Sequence, residues 1–130
     1  FDAKQWIEIA NKNNPLTEIA IEVDGKGVGG LGIVPQGDVH RLNAEIGYWL
    51  GEKYWGRGIM TEAVKAWTKY AFGNFDFVRL FAGVYEHNKS SMKVLEKAGY
   101  ELEILHPKIL IKNGKVMNEH VYGIRREKFL

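Results

Sequence analysis

Cysteine is absent from the chain of 130 residues, which excludes disulfide bonds, thiolate metal sites and a cysteine nucleophile. The sequence also has no apolar run near the roughly 20 residues that cross a bilayer, and no signal-peptide pattern, so we expect a cytoplasmic protein. A strong charge of one sign is missing as well, because 18 Lys and Arg stand against 16 Asp and Glu. This balance disfavours nucleic acid as the main partner, since such binding usually needs a concentrated basic stripe.

The composition that remains is typical of an ordinary globular domain. Hydrophobic residues make up 45% of the chain and charged residues 26%, and this length is enough to bury one core. No internal repeat or low-complexity tract divides the sequence. We therefore interpret residues 1–130 as a single domain.

The spacing of apolar residues changes several times along the chain, and each change predicts a new element. Alternation, as in Ile19, Ile21 and Val23, predicts a strand, whereas a stripe repeating every three to four residues predicts a helix. A strand, a helix and another strand in the middle predict one parallel pair in a mostly antiparallel sheet. The predicted order is a helix at 3–11, strands at 17–23, 28–34 and 43–50, a helix at 59–72, a strand at 79–85, a helix at 88–98, and strands at 101–111 and 116–126.

Two glycine-rich segments could in principle bind phosphate. Residues 25–30 match the dinucleotide pattern G-x-G-x-x-G, but the β-branched and glycine residues that follow cannot begin a good helix, so we interpret them as a hairpin. Residues 54–63 lie between a strand and the most amphipathic helix of the chain. Gly56 and Gly58 would let an anion approach the free N–H groups of the first helical turn, and Arg57 adds a cation. The alternative is a tight turn that merely begins the helix.

Two longer motifs indicate a family. Residues 44–50 (AEIGYWL) followed by 54–63 (YWGRGIMTEA) resemble the acetyl-CoA signature of the GNAT N-acetyltransferases, and residues 88–100 (NKSSMKVLEKAGY) resemble the second motif of the group that acetylates ribosomal-protein N-termini at alanine or serine. The resemblance implies a mixed α/β fold with a mostly antiparallel sheet and helices on both faces. The family's usual first strand and helix have no counterpart here, and Met60 stands where the family has Gly or Ala.

The resemblance also implies acetyl-CoA as cosubstrate, no metal, and direct attack of an amine on the thioester in a ternary complex. The loop before the long helix would hold the pyrophosphate, and the strand before it would pair its backbone with the pantetheine arm. The residues expected to bind the cofactor are Tyr48, Trp49, Leu50, Trp55, Gly56, Arg57, Gly58, Ile59, Met60, Thr61 and Asn88. Of these, Trp49 and Trp55 are expected to form walls of the cofactor cleft.

The candidate catalytic residues are a carboxylate and a hydroxyl. Glu45 is the first choice of general base, because a carboxylate inside an otherwise buried strand suits that task; the alternative is a structural Glu paired with Arg41. Ser91 matches the family position of a hydroxyl near the sulfur, although it and Asn88 could equally cap the helix. Weaker candidates are Glu119 and His120 for the base, and Tyr85 and Tyr122 for the acid.

The sequence leaves the substrate and some functional classes open. A protein N-terminus and a small amine both fit as acceptor, and the exposed sheet edges hint at a homodimer. A non-catalytic acyl-CoA-binding module is the main alternative to an enzyme. A ribosome- or RNA-associated protein is a third possibility, which the net charge of +2 supports little.

Overall fold

The computed structural model describes residues 16–129, so the helix expected at 3–11 lies outside the described residues. Six strands form one sheet: β1 (Glu18–Val23), β2 (Lys26–Pro35), β3 (Asn43–Leu50), β4 (Arg79–Tyr85), β5 (Glu101–Lys112) and β6 (Lys115–Arg125). The helices are α1 (Ile59–Asn74), α2 (Lys89–Lys97) and the short α3 (Arg126–Phe129), with 3-10 turns at Asp38–His40 and Glu52–Tyr54. Within these residues no helix is both long and apolar enough to cross a bilayer.

The sheet has the order β1-β2-β3-β4-β6-β5, in which only the β3–β4 pair is parallel. The mixed, mostly antiparallel sheet predicted from the sequence is therefore confirmed. Residues 25–30 lie in the β1–β2 turn and in β2, as the hairpin interpretation requires. Asp24 and Gly25 both have positive φ, as do Asn113 and Gly114 between β5 and β6, which is the geometry that tight two-residue hairpins favour.

The core lies on one face of the sheet, beneath α1 and α2. Alternate residues of the central strands, such as Ala44, Ile46 and Leu80, join the buried stripes of both helices in a single cluster. Trp67 of α1 is 0% exposed and its indole N–H donates to the Gly32 carbonyl over 3.1 Å, so it anchors the helix in the core. Burial of this stripe, more than helix propensity, fixes where α1 lies.

The C-terminal end of α1 is held by a single arginine from the other end of the chain. The Arg126 guanidinium donates to the carbonyl oxygens of Phe72, Phe75 and Phe77 over 2.7, 2.6 and 2.7 Å, and it also lies 5.1 Å from the centre of the Phe72 ring. The last carbonyls of a helix have no intrahelical donor, so these bonds supply what the helix end lacks. They also tie α1 to the end of β6.

We expect Arg126→Ala to lower the free energy of unfolding by about 2–4 kcal/mol, because it removes three charge-assisted hydrogen bonds to half-buried carbonyls. Arg125→Ala is the matched control, since Arg125 is exposed and adjacent in sequence, and it should change stability by about 0.5 kcal/mol or less. Urea unfolding followed by circular dichroism measures both. Equal effects of the two substitutions would contradict the role given to Arg126.

Candidate active site

The two parallel strands separate soon after they pair. β3 and β4 are in register only at Asn43↔Arg79, Ala44↔Leu80 and Glu45↔Phe81, although β3 continues to Leu50 and β4 to Tyr85. A cavity of about 450 Å³ opens where they part. It is lined by Val34, Glu45, Ile46, Gly47, Tyr48, Ala82, Gly83, Val84, Tyr85, Asn88 and Ser91. The predicted catalytic residues, Glu45 and Ser91, therefore line one cavity.

Glu45 reaches the cavity from the face of the sheet opposite the core. The expectation that it is buried is wrong: Ala44 and Ile46 point into the core, whereas Glu45, between them, is exposed. The reason is the strict alternation of side chains along a strand. Arg41 does not pair with it, because the Arg41 guanidinium reaches the Asp38 carbonyl instead. Within residues 16–129 the Glu45 side chain has no hydrogen bond or ion pair, so its carboxylate is available to a ligand in the cavity.

The hydroxyl side of the cavity is built by the first turn of α2. Asn88 is the N-cap residue, and its Oδ1 accepts the Ser91 N–H over 3.2 Å, so the helix-capping role is confirmed for Asn88. The Ser91 Oγ lies 2.5 Å from the Tyr48 hydroxyl. Burial raises the pKa of Tyr48 above its usual value. The phenol therefore keeps its proton at neutral pH.

The loop before α1 has the backbone geometry that the sequence suggests. Gly56 and Gly58 both have φ of 74°, in the left-handed region that only glycine enters without strain. Gly58 is the N-cap residue of α1 and no side chain caps the helix. After Trp55, the next amide that donates to a backbone carbonyl is that of Glu62, which donates to the Gly58 carbonyl. The N–H groups of the first turn thus have no acceptor among the described residues, and the loop is exposed.

The two tryptophans expected to wall the cleft do not line the cavity. Trp49 is 64% exposed and lies across Gly30, where a Cβ would stand 2.8 Å from the indole nitrogen. Trp55 is 62% exposed and its indole N–H donates to the Leu50 carbonyl over 2.7 Å. Trp49 thus covers the neighbouring strand β2, and the Trp55 bond holds the end of β3 against the loop. Neither tryptophan lines the cavity, and their place as walls of the cofactor cleft stays a prediction.

Two features of the site escape the sequence analysis. The sequence predicts no role for the side chain of Tyr48, yet this side chain contacts Ser91. The pattern that could have indicated it is the alternation of β3, in which Tyr48 is the polar ring that follows the core-facing residues Ala44 and Ile46. The Glu119 carboxylate lies close against Gly83, which lines the cavity and has no Cβ to exclude it.

Of the other weak candidates, Tyr85 lines the cavity, and His120 does not, although its Nδ1 is buried without a partner among the described residues. Tyr122 instead donates to a Glu96 carboxylate oxygen over 3.2 Å.

The described part of the chain holds no group of three His, Asp or Glu side chains able to bind a metal. What the site offers is an exposed carboxylate, a hydroxyl pair and the glycine loop. The carboxylate can accept a proton, the hydroxyls can donate hydrogen bonds, and the helix start can receive an anion.

Comparison with known proteins gives one family. Residues 1–101 match the acetyltransferase (GNAT) domain. A probable N-acetyltransferase of Bacillus subtilis, YjcK, is 46% identical over 81 residues, which are 62% of this chain and 45% of that protein. The [ribosomal protein uS5]-alanine N-acetyltransferase of Escherichia coli is 32% identical over 95 residues, 73% of this chain and 47% of that protein. The chain thus spans about half the length of these curated relatives.

Solved structures agree with the sequence relatives. Mycobacterium smegmatis RimJ, in complex with CoA-disulfide, superposes with a TM-score of 0.75 at 32% identity. The match covers 84% of this chain and 52% of that one. The fold built here from strand order and register is the fold of that protein over the shared region.

The left-handed turn before α1 can be tested by adding a single methyl group. Gly58→Ala should lower the free energy of unfolding by about 1–2 kcal/mol, because an alanine at positive φ is strained even though no atom lies within 4 Å of the new Cβ. Gly73→Ala is the matched control: it lies inside α1 with equally open space and should stabilise the protein by roughly 0.5–1 kcal/mol. Urea unfolding of both variants decides, and a stabilising Gly58→Ala would contradict the turn geometry.

Proposed function

The chain belongs to the GNAT acetyltransferase family, and from this we propose that it transfers an acetyl group from acetyl-CoA to a primary amine. One observation carries the proposal: the parallel strands β3 and β4 part beside an uncapped helix start, and the cavity between them holds a carboxylate and a hydroxyl. Such a gap can take an extended thioester arm on one side and an amine on the other. RimJ of M. smegmatis, solved with CoA-disulfide, supports CoA as the group bound.

In this proposal the cofactor follows the path of the backbone. The pyrophosphate lies at the loop of residues 55–61, where the free amides that follow Trp55 and the positive end of the α1 dipole favour an anion. The pantetheine arm runs along β3 at residues 48–50, on the side that β4 has left, and pairs with the backbone as a strand would. Arg57, stacked 5.3 Å from the centre of the Tyr54 ring, is close enough in sequence to turn toward a phosphate. Asn88 keeps its Nδ2 group for the pantetheine arm while its Oδ1 caps α2.

The proposed reaction is direct attack. Glu45, alone or through a water, takes a proton from the acceptor ammonium, and the neutral amine attacks the thioester carbonyl. The new C–N bond forms, the C–S bond breaks, and its electron pair goes to sulfur. One of the two protons left on the nitrogen passes to solvent and the other stays on the amide, while Ser91 stabilises the thiolate with a hydrogen bond. Glu45 is exposed, so its proposed role as base rests on its position in the cavity and not on burial.

The acceptor belongs to one of two classes, a protein N-terminus or a small amine. The E. coli relative is a ribosomal-protein alanine N-acetyltransferase, which favours a protein N-terminus, while the open cavity mouth admits either. In this proposal residues 1–130 form one domain, which acts in the cytoplasm and pairs with a second copy as a homodimer.

A non-catalytic CoA-binding module is the second candidate. The exposure of Glu45 favours it, because an exposed carboxylate is also the ordinary state of a surface glutamate without a catalytic task. The two candidates differ in whether bound acetyl-CoA releases its thiol.

The function is tested with acetyl-CoA and a panel of amines that includes short peptides with free alanine or serine N-termini. We expect thiol release that depends on the amine, and Glu45→Gln should lower kcat by roughly 100-fold, since general-base catalysis contributes about that much. The dissociation constant for CoA, measured by calorimetry, should stay within about two-fold because the amide keeps the shape of the carboxylate.

Glu22→Gln serves as control, because Glu22 is exposed on the edge strand β1 and outside the cavity. It should leave both kcat and CoA affinity unchanged. Tight CoA binding with no thiol release at any pH would establish the binding module instead. Normal turnover by Glu45→Gln would remove Glu45 as the base, and Glu119→Gln would then be the next variant to measure.

A further inference from the structure

The hydroxyl of Tyr48 is a polar group of the cavity without a place in the mechanism above. Its ring stands on the core-facing side of β3, in line with Ala44 and Ile46, which are 0% and 3% exposed. Tyr48 comes three residues after the last β3–β4 pair, at Glu45. Its side chain therefore spans the place from which β4 has moved away, and it reaches the first turn of α2 there.

The Tyr48 hydroxyl lies within hydrogen-bond distance of two oxygen atoms of Ser91 in α2. The Tyr48 hydroxyl lies 2.5 Å from the Ser91 Oγ and 3.5 Å from the Ser91 carbonyl oxygen. Asn88 holds the same serine at its amide. Ser91 is thus held at its N–H by Asn88 and at its side chain by Tyr48, and helix capping requires only the first of these contacts.

The chemistry of the two hydroxyls sets the direction of their hydrogen bond. A phenol is the more acidic donor and its oxygen the poorer acceptor, so Tyr48 donates and the Ser91 Oγ accepts. The phenol has one proton, and the contact with the Ser91 Oγ at 2.5 Å takes it in preference to the Ser91 carbonyl at 3.5 Å. The proton of Ser91 is then left for another acceptor, and Ser91 lines the cavity.

We propose that Tyr48 is a positioning residue, which holds the Ser91 side chain so that the Ser91 hydroxyl donates a hydrogen bond to the sulfur of CoA. The inference rests on the proposed function, since that places the thioester beside Ser91. No proton is transferred between Tyr48 and Ser91. As the C–S bond breaks and charge grows on sulfur, the hydrogen bond from Ser91 strengthens, and a preorganised donor stabilises that charge best.

Burial supports this role because it keeps the phenol protonated and therefore able to donate. The pKa of the Tyr48 phenol is raised by burial, so the phenol stays protonated through neutral and mildly alkaline pH. The Tyr48 hydroxyl can therefore donate over this pH range.

Turnover gives the first test. Tyr48→Phe keeps the ring and removes only the hydroxyl; we expect kcat to fall by roughly 10- to 100-fold, with the KM for acetyl-CoA within about two-fold. Ser91→Ala should lose a comparable factor. The double variant should lose no more than Ser91→Ala alone, because both changes act through one hydrogen bond.

Tyr100→Phe is the matched control, since it removes another buried phenol hydroxyl that contacts Thr68 over 2.7 Å in the core and does not line the cavity. It should lower the midpoint of thermal unfolding and leave kcat unchanged. Tyr48→Phe should show the reverse, a small thermal shift with a large loss of kcat. That split separates positioning from a merely structural contribution.

A second readout needs no turnover. The thiol of bound CoA can be titrated by the ultraviolet absorbance of its thiolate, and a donor aimed at sulfur favours the thiolate. We expect the titration midpoint of bound CoA to be higher by about one pH unit in Tyr48→Phe and in Ser91→Ala than in the unchanged protein. Tyr100→Phe should titrate like the unchanged protein.

The outcomes separate the two proposals. A Tyr48→Phe variant with unchanged kcat and unchanged thiol titration overturns the role of Tyr48 and leaves the acetyltransferase standing. The same conclusion follows if the loss of kcat in the double variant equals the product of the losses in Tyr48→Phe and Ser91→Ala. A protein that shows the thiol shift but releases no acetyl group overturns the proposed function and supports the hydroxyl pair. Failure to bind CoA at all overturns both.

Discussion

The separation of β3 from β4 after the Glu45↔Phe81 pair is the constraint on which the site depends. A sheet interior normally pairs every backbone group, because an unpaired buried N–H or C=O costs free energy. Here β3 gives up the parallel partner on one side while β2 continues to pair it as far as Leu50 on the other. The exposed strand edge and the cavity are two consequences of the same divergence.

The divergence is stable because other elements occupy its flanks. Tyr48 crosses from β3 to the first turn of α2 and bonds Ser91, so the gap is bridged on the core side. Trp55 bonds the Leu50 carbonyl at the far end of β3. Below, the core of α1 and α2 is continuous, and Arg126 ties the end of α1 to the end of β6. The cavity is therefore a gap held open by its neighbours.

Strand alternation divides the chemistry of the cavity between its two sides. On β3 the even-numbered residues, Ile46 and Tyr48, face the core, whereas Glu45 and Gly47 face the opposite side. The hydroxyl pair consequently lies on the helix side and the carboxylate on the open side, with the parted strands between them. A group bound in the gap meets a proton acceptor on one side and hydrogen-bond donors on the other, which suits a reaction that removes a proton from an amine and builds charge on sulfur.

The sequence by itself determined nearly all the described elements, because apolar spacing and turn residues are local signals. The bounds of β3 and β4 agree with the prediction, and both Asp24-Gly25 and Asn113-Gly114 form the expected turns. It also placed Glu45 and Ser91 in one site through two motifs. Tertiary structure alone decided which way side chains point and what they meet: Glu45 is exposed although its neighbours are buried, Trp49 lies over Gly30, and Tyr48 meets Ser91 across 43 positions of chain. Such contacts depend on where two strands stop pairing, and no local pattern of residues encodes that point.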